Sequence, residues 1–172
     1  MLSEKRRRIK LLLLDVDGVL TDGGILYGES GAEIKVFDVK DGFGIKLLRQ
    51  AGIEVGIVTG RSSGALCRRC ADLGILYLFD NVQDKTAVLQ TILDRLSLSV
   101  EEVAYVGDDL PDLAIMKRVG LPIAVADAHP AVVETAAWVT TARGGSGAVR
   151  EICETILTSK GVWESILAHY RK

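Results

Sequence analysis

Cysteine is scarce in this chain of 172 residues: Cys67, Cys70 and Cys153 are all it has. An odd count with no secretory signal argues against a disulfide framework and points to a reducing, cytoplasmic setting. The stretch CRRC matches C-x-x-C but lacks the second pair that a zinc site needs. It also lies inside a helix-like segment, SSGALCRRCADLG, rather than at a helix start after a strand, where redox pairs are activated. Buried structural thiols are the simpler reading. Long apolar runs are missing too. The opening, MLSEKRRRIK, is basic, and the run after it is strand-length and ends in Asp15. That is neither a signal-peptide core nor a membrane span, and a solvated basic leader is expected ahead of a nucleic-acid arm. A strong charge of either sign is also absent. The formal net charge of −2 gives no pull toward nucleic acid or an anionic membrane, and neither is expected as a partner. No low-complexity linker interrupts the chain, so 1–172 is expected to be one domain.

What is present is alternation. The apolar runs IKLLLLDV, IEVGIVTG, ILYLFD, EEVAYVGDD, LPIAVAD and AWVTTA read as strands. Between them, DGFGIKLLRQAG repeats Phe43, Leu47 and Leu48 at helical spacing, with Gly52 as its stop. DKTAVLQTILDRL and GAVREICETILTSKG carry apolar stripes that are core rather than ligand site. This is the pattern of an α/β, Rossmann-like three-layer αβα sandwich with a mostly parallel sheet. GGILYGESGAEIKVFDVKDG breaks the pattern: two short β-prone runs around GESG predict a projecting β-hairpin at about 24–38. No segment is large enough for a separate cap domain. The tail at about 161–172, GVWESILAHYRK, is helical by spacing and packs either on its own domain or on another subunit.

The first strand poses a physical question. IKLLLLDVDGVLTDGG delivers Asp15, Asp17 and Asp22 straight from four leucines into a glycine turn. Asp is a poor strand former and costly to bury without compensation, so these acids belong where the strand ends. Ligands of open α/β sheets collect outside the carboxyl ends of the strands. The first run ends in Asp15 and Asp17, the second in Thr59, Gly60 and Arg61, the fourth in Asp108, Asp109 and Asp112. Lys85 opens a helix near the same edge. Singly, each has an ordinary structural role as turn former, cap or surface charge. Together they form clustered carboxylates that need a positive partner, and Mg²⁺ suits a few carboxylates plus water and phosphate oxygens. His129, in DAHP, reads as a helix start or turn residue rather than a nucleophile.

DVDGVLTDG, IVTGR, DK and VGDDLPDL resemble, in order and spacing, the four motifs of the haloacid dehalogenase-like (HAD) phosphatases. The hairpin, the missing cap, FDVKDGFGIKLL and the late GGSGAVREI resemble more narrowly the capless 3-deoxy-D-manno-octulosonate 8-phosphate (KDO 8-P) phosphatase family, although Ser146 stands where GGRG is usual. The resemblance implies Asp15 as nucleophile through an aspartyl-phosphate, and Asp17 as acid and then base. It implies Mg²⁺ on Asp15, the Asp17 carbonyl and Asp108, with Asp112 or Asp109 supporting through water. Thr59 and Lys85 would bind the phosphoryl oxygens. Gly60 and Arg61 lie on the substrate side, with Arg69 a further candidate beside its reading as a solvated helix charge. A homotetramer is also implied; separately, Ile25, Tyr27, Ile34 and Val36 would leave an apolar patch on a lone ribbon, so hairpins of several subunits are expected to pair and a neighbour to roof each site. Two alternatives stand: a phosphatase of nine-carbon sugar-acid 9-phosphates, and a receiver-like phosphoacceptor domain. Receivers place an acidic pair after the first strand and the phosphoacceptor after a later one, whereas here D-x-D-G comes first.

Overall fold

The computed structural model describes residues 2–172. The elements run α1 (Leu2–Arg8), β1 (Leu11–Leu14), β2 (Leu26–Tyr27), β3 (Glu33–Ile34), α2 (Val39–Gln50), β4 (Glu54–Val58), α3 (Gly64–Leu73) and β5 (Tyr77–Phe79). They continue with α4 (Lys85–Leu96), β6 (Val103–Gly107), α5 (Leu113–Met116), β7 (Leu121–Ala124), α6 (Pro130–Thr135), β8 (Trp138–Val139), α7 (Ala148–Ser159) and α8 (Trp163–Tyr170). All six predicted strands pair in parallel, in the order β5-β4-β1-β6-β7-β8. The chain first builds outward from β1 on one side, then returns to build on the other. That reversal opens a crevice at the carboxyl ends of β4, β1 and β6.

The four leucines explain why β1 is central. Every one is fully buried, and pleating sends them alternately to the two faces. Leu12 and Leu14 enter a core with Ile45 and Leu48 of α2, Leu66 of α3 and Ile152 and Ile156 of α7. Leu11 and Leu13 enter a second core with Leu89 and Ile92 of α4, Met116 of α5 and Val132 of α6. A strand covered on both faces has no solvent side to make polar, hence the unbroken apolar run. Its register decides the site. Leu14 lies opposite Ile57 of β4 and Val106 of β6, so Asp15 leaves the sheet beside the residues that lead into Thr59 and Asp108.

Two expectations change. The basic leader is not simply solvated: it forms α1, whose Leu2 packs on the core and whose Arg6 guanidinium lies 4.2 Å over the Trp138 ring. An arginine's apolar stem and planar head allow such docking while Arg7 and Arg8 pair with Glu4 at the surface. Phe43 is off the core stripe of α2; it is exposed and stacks edge-on against Tyr170 of α8, with ring centroids 5.6 Å apart. The buried side of α2 is formed by Ile45, Leu47 and Leu48. The predicted hairpin is present as β2 and β3, antiparallel, with Leu26 opposite Ile34 and Tyr27 opposite Glu33. Among the described residues, no helix is long and apolar enough to cross a membrane.

Candidate active site

Asp15, Asp17, Thr59 and Lys85 line one cleft of about 460 Å³, together with Gly60, Arg61, Asp108 and Asp109. The strand-end rule thus brings together residues from three strands and one helix. Asp15 follows β1 directly, and its N–H still donates to the Val106 carbonyl at 3.1 Å. The chain then turns at Gly18, whose φ of +90° is left-handed. A Cβ there would sit 2.0 Å from Asp108 Oδ2, so only glycine lets the two loops meet.

Lys85 is the first residue of α4, held there by the Asp84 cap, which accepts from the Thr86 N–H at 2.9 Å. An ammonium has three N–H bonds. Lys85 Nζ donates to Asp112 Oδ1 at 2.7 Å and to the Tyr105 hydroxyl at 3.0 Å, and it pairs with Asp15 Oδ1 at 3.2 Å. Burial pulls this ammonium down, but Asp15 and Asp112 outweigh it and raise its pKa. Lys85 therefore enters the cleft as a fixed cation, with two N–H groups committed to Asp112 and Tyr105 and the third left on the Asp15 side.

Asp112, 1% exposed, has its acceptor positions filled. Its Oδ1 accepts from Lys85 and from the Tyr105 hydroxyl at 2.6 Å, and its Oδ2 from the N–H groups of Asp108 at 2.9 Å and Asp109 at 3.3 Å. A Cβ at Gly107 would fall 2.5 Å from Asp112 Oδ2, so the turn needs that glycine to reach its anchor. Oxygens of Asp15, Asp108 and Asp112 lie within 4.8 Å of one another, yet Asp112 is committed to the loop and to Lys85. Asp109 spends one oxygen on the Leu110 N–H at 2.8 Å.

Asp15 and Asp108 are left for a cation. Burial raises the Asp15 carboxyl to about 6, against the pull of Lys85, and Asp112 adds to the rise. Burial, then Asp15 and Asp112, push Asp108 to about 7. Asp108 Oδ1 is buried with no hydrogen-bond partner. Two raised carboxyls and an unsatisfied oxygen facing the same space are what a hard divalent cation would relieve, so the donor set fits one.

Three residues of this neighbourhood escaped the sequence reading. Glu33 and Lys35 come from the hairpin, where Lys35 pairs with Asp17 and Glu33 pairs with Arg61 at 2.7 Å. Their signal was there: in EIKV they alternate with Ile34 and Val36, so the apolar pair faces away from the site. Tyr105 sits in a fully buried strand and reads as core, except that a buried hydroxyl demands a partner.

Arg69 does not line the cleft. Its Nη2 donates to the Asp38 carbonyl at 3.0 Å and its head lies 5.6 Å from the Phe37 ring, so it is neither solvated nor at the phosphate end. Cys70 is buried, and burial lifts its thiol to about 11; Cys153 is buried and raised as well, so neither is a thiolate at neutral pH. His129 caps α6, its Nδ1 accepting from the Ala131 N–H at 3.1 Å. Ser146 is exposed in the turn before α7.

Known proteins share this fold. The haloacid dehalogenase-like hydrolase family matches residues 71–152. The 3-deoxy-D-manno-octulosonate 8-phosphate phosphatase KdsC of Escherichia coli (strain K12) is 48% identical over 157 residues, which cover 91% of this chain and 84% of that protein. Among solved structures, the 3-deoxy-D-manno-octulosonate 8-phosphate phosphatase of Moraxella catarrhalis, in complex with a magnesium ion, a phosphate ion and a KDO molecule, superposes with a TM-score of 0.95 at 39% identity, covering 98% of this chain and 97% of that one. The cobalt-bound deoxy-D-mannose-octulosonate 8-phosphate phosphatase of Haemophilus influenzae gives 0.93 at 39% identity, covering 98% and 99%. Identity of this extent, over nearly the whole chain, shows that the chain belongs to the 3-deoxy-D-manno-octulosonate 8-phosphate phosphatase family of haloacid dehalogenase-like hydrolases.

Proposed function

We propose that this protein hydrolyses 3-deoxy-D-manno-octulosonate 8-phosphate to KDO and phosphate in a Mg²⁺-dependent reaction that passes through phosphorylated Asp15. The observation that supports it most is the placement of Asp15, Asp17, Lys85 and Asp108 in one cleft at the sheet's switch point. Asp15, Asp108 and the Asp17 main-chain carbonyl would hold the Mg²⁺. Bound there, the ion offsets the charge that a carboxylate and a phosphate bring together.

The chain's own residues do the rest. An Asp15 carboxylate oxygen attacks phosphorus as the bond from phosphorus to the sugar C8 oxygen breaks. Asp17 gives its proton to the departing oxygen, so the sugar leaves as a neutral alcohol. Water then attacks phosphorus, Asp17 takes its proton, and the Asp15–phosphorus bond breaks to release phosphate and restore both carboxyls. Lys85, its ammonium fixed by Tyr105 and Asp112, and the Thr59 hydroxyl hydrogen-bond the non-bridging oxygens as charge moves across them. Arg61, at the cleft mouth, offers a planar fork to the sugar acid's carboxylate. A phosphatase of nine-carbon sugar-acid 9-phosphates would use the same machinery, so substrate length is a separate question from mechanism.

We further infer a homotetramer assembled through the hairpins. Leu26 is 53% exposed and Tyr27 and Val36 are each 68% exposed, while Ile25 and Ile34 lie open beside them. A two-stranded ribbon this short does not bury such a face alone, and paired copies would cover it.

Asp15→Asn is expected to abolish Mg²⁺-dependent phosphate release while circular dichroism stays native; residual turnover near wild type would end the covalent mechanism. In a panel of sugar phosphates, the eight-carbon acid should have the highest kcat/KM, and equal rates on neutral hexose phosphates would overturn the sugar-acid assignment. The raised Asp15 and Asp108 carboxyls give a pH signature. The metal-free fold holds protons there between about pH 4 and 7 that the unfolded chain has released, so their contribution to stability falls as pH rises through that window. Mg²⁺ binds the ionised form. The gain in Tm on adding Mg²⁺ over EDTA should therefore grow from pH 5.5 to pH 8, and a gain independent of pH would contradict the assignment. Sedimentation should show tetramers that Leu26→Asp converts to smaller species, whereas a fully active wild-type monomer would refute the assembly.

A further inference from the structure

The hairpin is too small to be held by its own ladder, with two paired residues on each strand. Ile34 and Val36 are exposed, yet the side chain of Lys35 between them is only 2% exposed. Lysine stems ordinarily lie along the surface and end in water. This one turns inward and places its ammonium between two carboxylates, Asp17 Oδ1 and, at 2.6 Å, Glu33 Oε1. Glu33 continues to Arg61 at 2.7 Å, and Arg61 Nε returns to within 3.6 Å of Asp17 Oδ2. The four groups form a closed ring of alternating charge around one side of the cleft.

The two oxygens of Asp17 are not equivalent within the ring. Oδ1 is anchored by the Lys35 ammonium. Oδ2 is buried and has no hydrogen-bond partner, since Arg61 stands beyond hydrogen-bond distance. Glu33 has a similar pattern, with Oε2 held by Arg61 and Oε1 paired with Lys35 but in no hydrogen bond, yet of the two only Asp17 lines the cleft. Burial pulls the Lys35 ammonium down, but Asp17 and Glu33 outweigh it, so Lys35 remains a cation able to act as that anchor.

We propose that Lys35 is a positioning residue for the reaction, delivered by the hairpin. It anchors Oδ1 of Asp17 so that Oδ2 meets the departing oxygen, while Glu33 keeps Lys35 and Arg61 in place. The inference rests on the reading of Asp17 as the acid–base group. The proton moves from Asp17 Oδ2 to the leaving oxygen as the phosphorus–oxygen bond breaks, and Lys35 neither gains nor loses one. The hairpin is then part of the catalytic apparatus as well as an assembly surface.

Proton donation matters for a poor leaving group and little for a good one, and that distinguishes anchoring of Asp17 from support of the fold. The test measures kcat/KM at saturating Mg²⁺ for the full-length enzyme and for Lys35→Met, Lys35→Arg and Glu33→Gln. The substrates are p-nitrophenyl phosphate, phenyl phosphate and a primary alkyl phosphate. Lys35→Met should lose at least about tenfold on the alkyl phosphate but less than about threefold on p-nitrophenyl phosphate, steepening the dependence on leaving-group acidity. Lys35→Arg should recover most of the loss, and Glu33→Gln, which keeps the side chain's shape should Lys35→Met fail to fold, should steepen the dependence by a smaller amount. An equal loss on all three substrates, or none, overturns the inference. A wild-type enzyme whose own dependence is already steep would instead overturn the acid role of Asp17, so the two failures are told apart.

Discussion

Carboxylates crowded at the end of a buried strand repel one another, and the rest of this site is organised around that repulsion. Burial, and then the neighbouring acids, raise the Asp108 carboxyl to about 7, which is a cost of holding it ionised at neutral pH without a cation. Lys85 offsets part of it, tied to Asp15 and Asp112. A cation on Asp15 and Asp108 would offset the rest.

The fold serves that arrangement by rigid placement. β1 is buried on both faces and paired on both edges, so Asp15 leaves it in a fixed register with the ends of β4 and β6. Asp112 reaches back to two N–H groups of its own loop and holds Lys85 and Tyr105 with its other oxygen. Oriented donors set before substrate arrives need little rearrangement during the reaction. The hairpin adds a second ring of charge around Asp17, built from residues that are remote from it in sequence.

Much of this was legible in the chain because strand periodicity and the strand-end rule act on local pattern. All six sheet strands, the hairpin and the edge that gathers Asp15, Thr59, Lys85 and Asp108 could be read from apolar runs and the polar residues at their carboxyl ends. What could not be read depends on which lone pairs are already taken. Asp112 and Asp109 are both acids near Asp108, and only the hydrogen bonds separate the anchor from the group at the cleft. Glu33 and Lys35 look like the polar face of an exposed ribbon until the ribbon folds over Asp17. Tyr105 looks like filler in a core strand. The α1 segment misled for a related reason: a basic run reads as solvated, whereas Arg6 buries its stem and covers Trp138.

Asp15 and Asp108 are expected to share a cation which Asp112 supports without touching. Crystals soaked in Mn²⁺, as a stand-in for Mg²⁺, test this through the metal's anomalous diffraction signal. One strong peak is expected, bonded to carboxylate oxygens of Asp15 and Asp108, with Asp112 still paired to Lys85 and Tyr105. A peak bonded to Asp112 with Lys85 displaced, or no peak in the cleft, would contradict it.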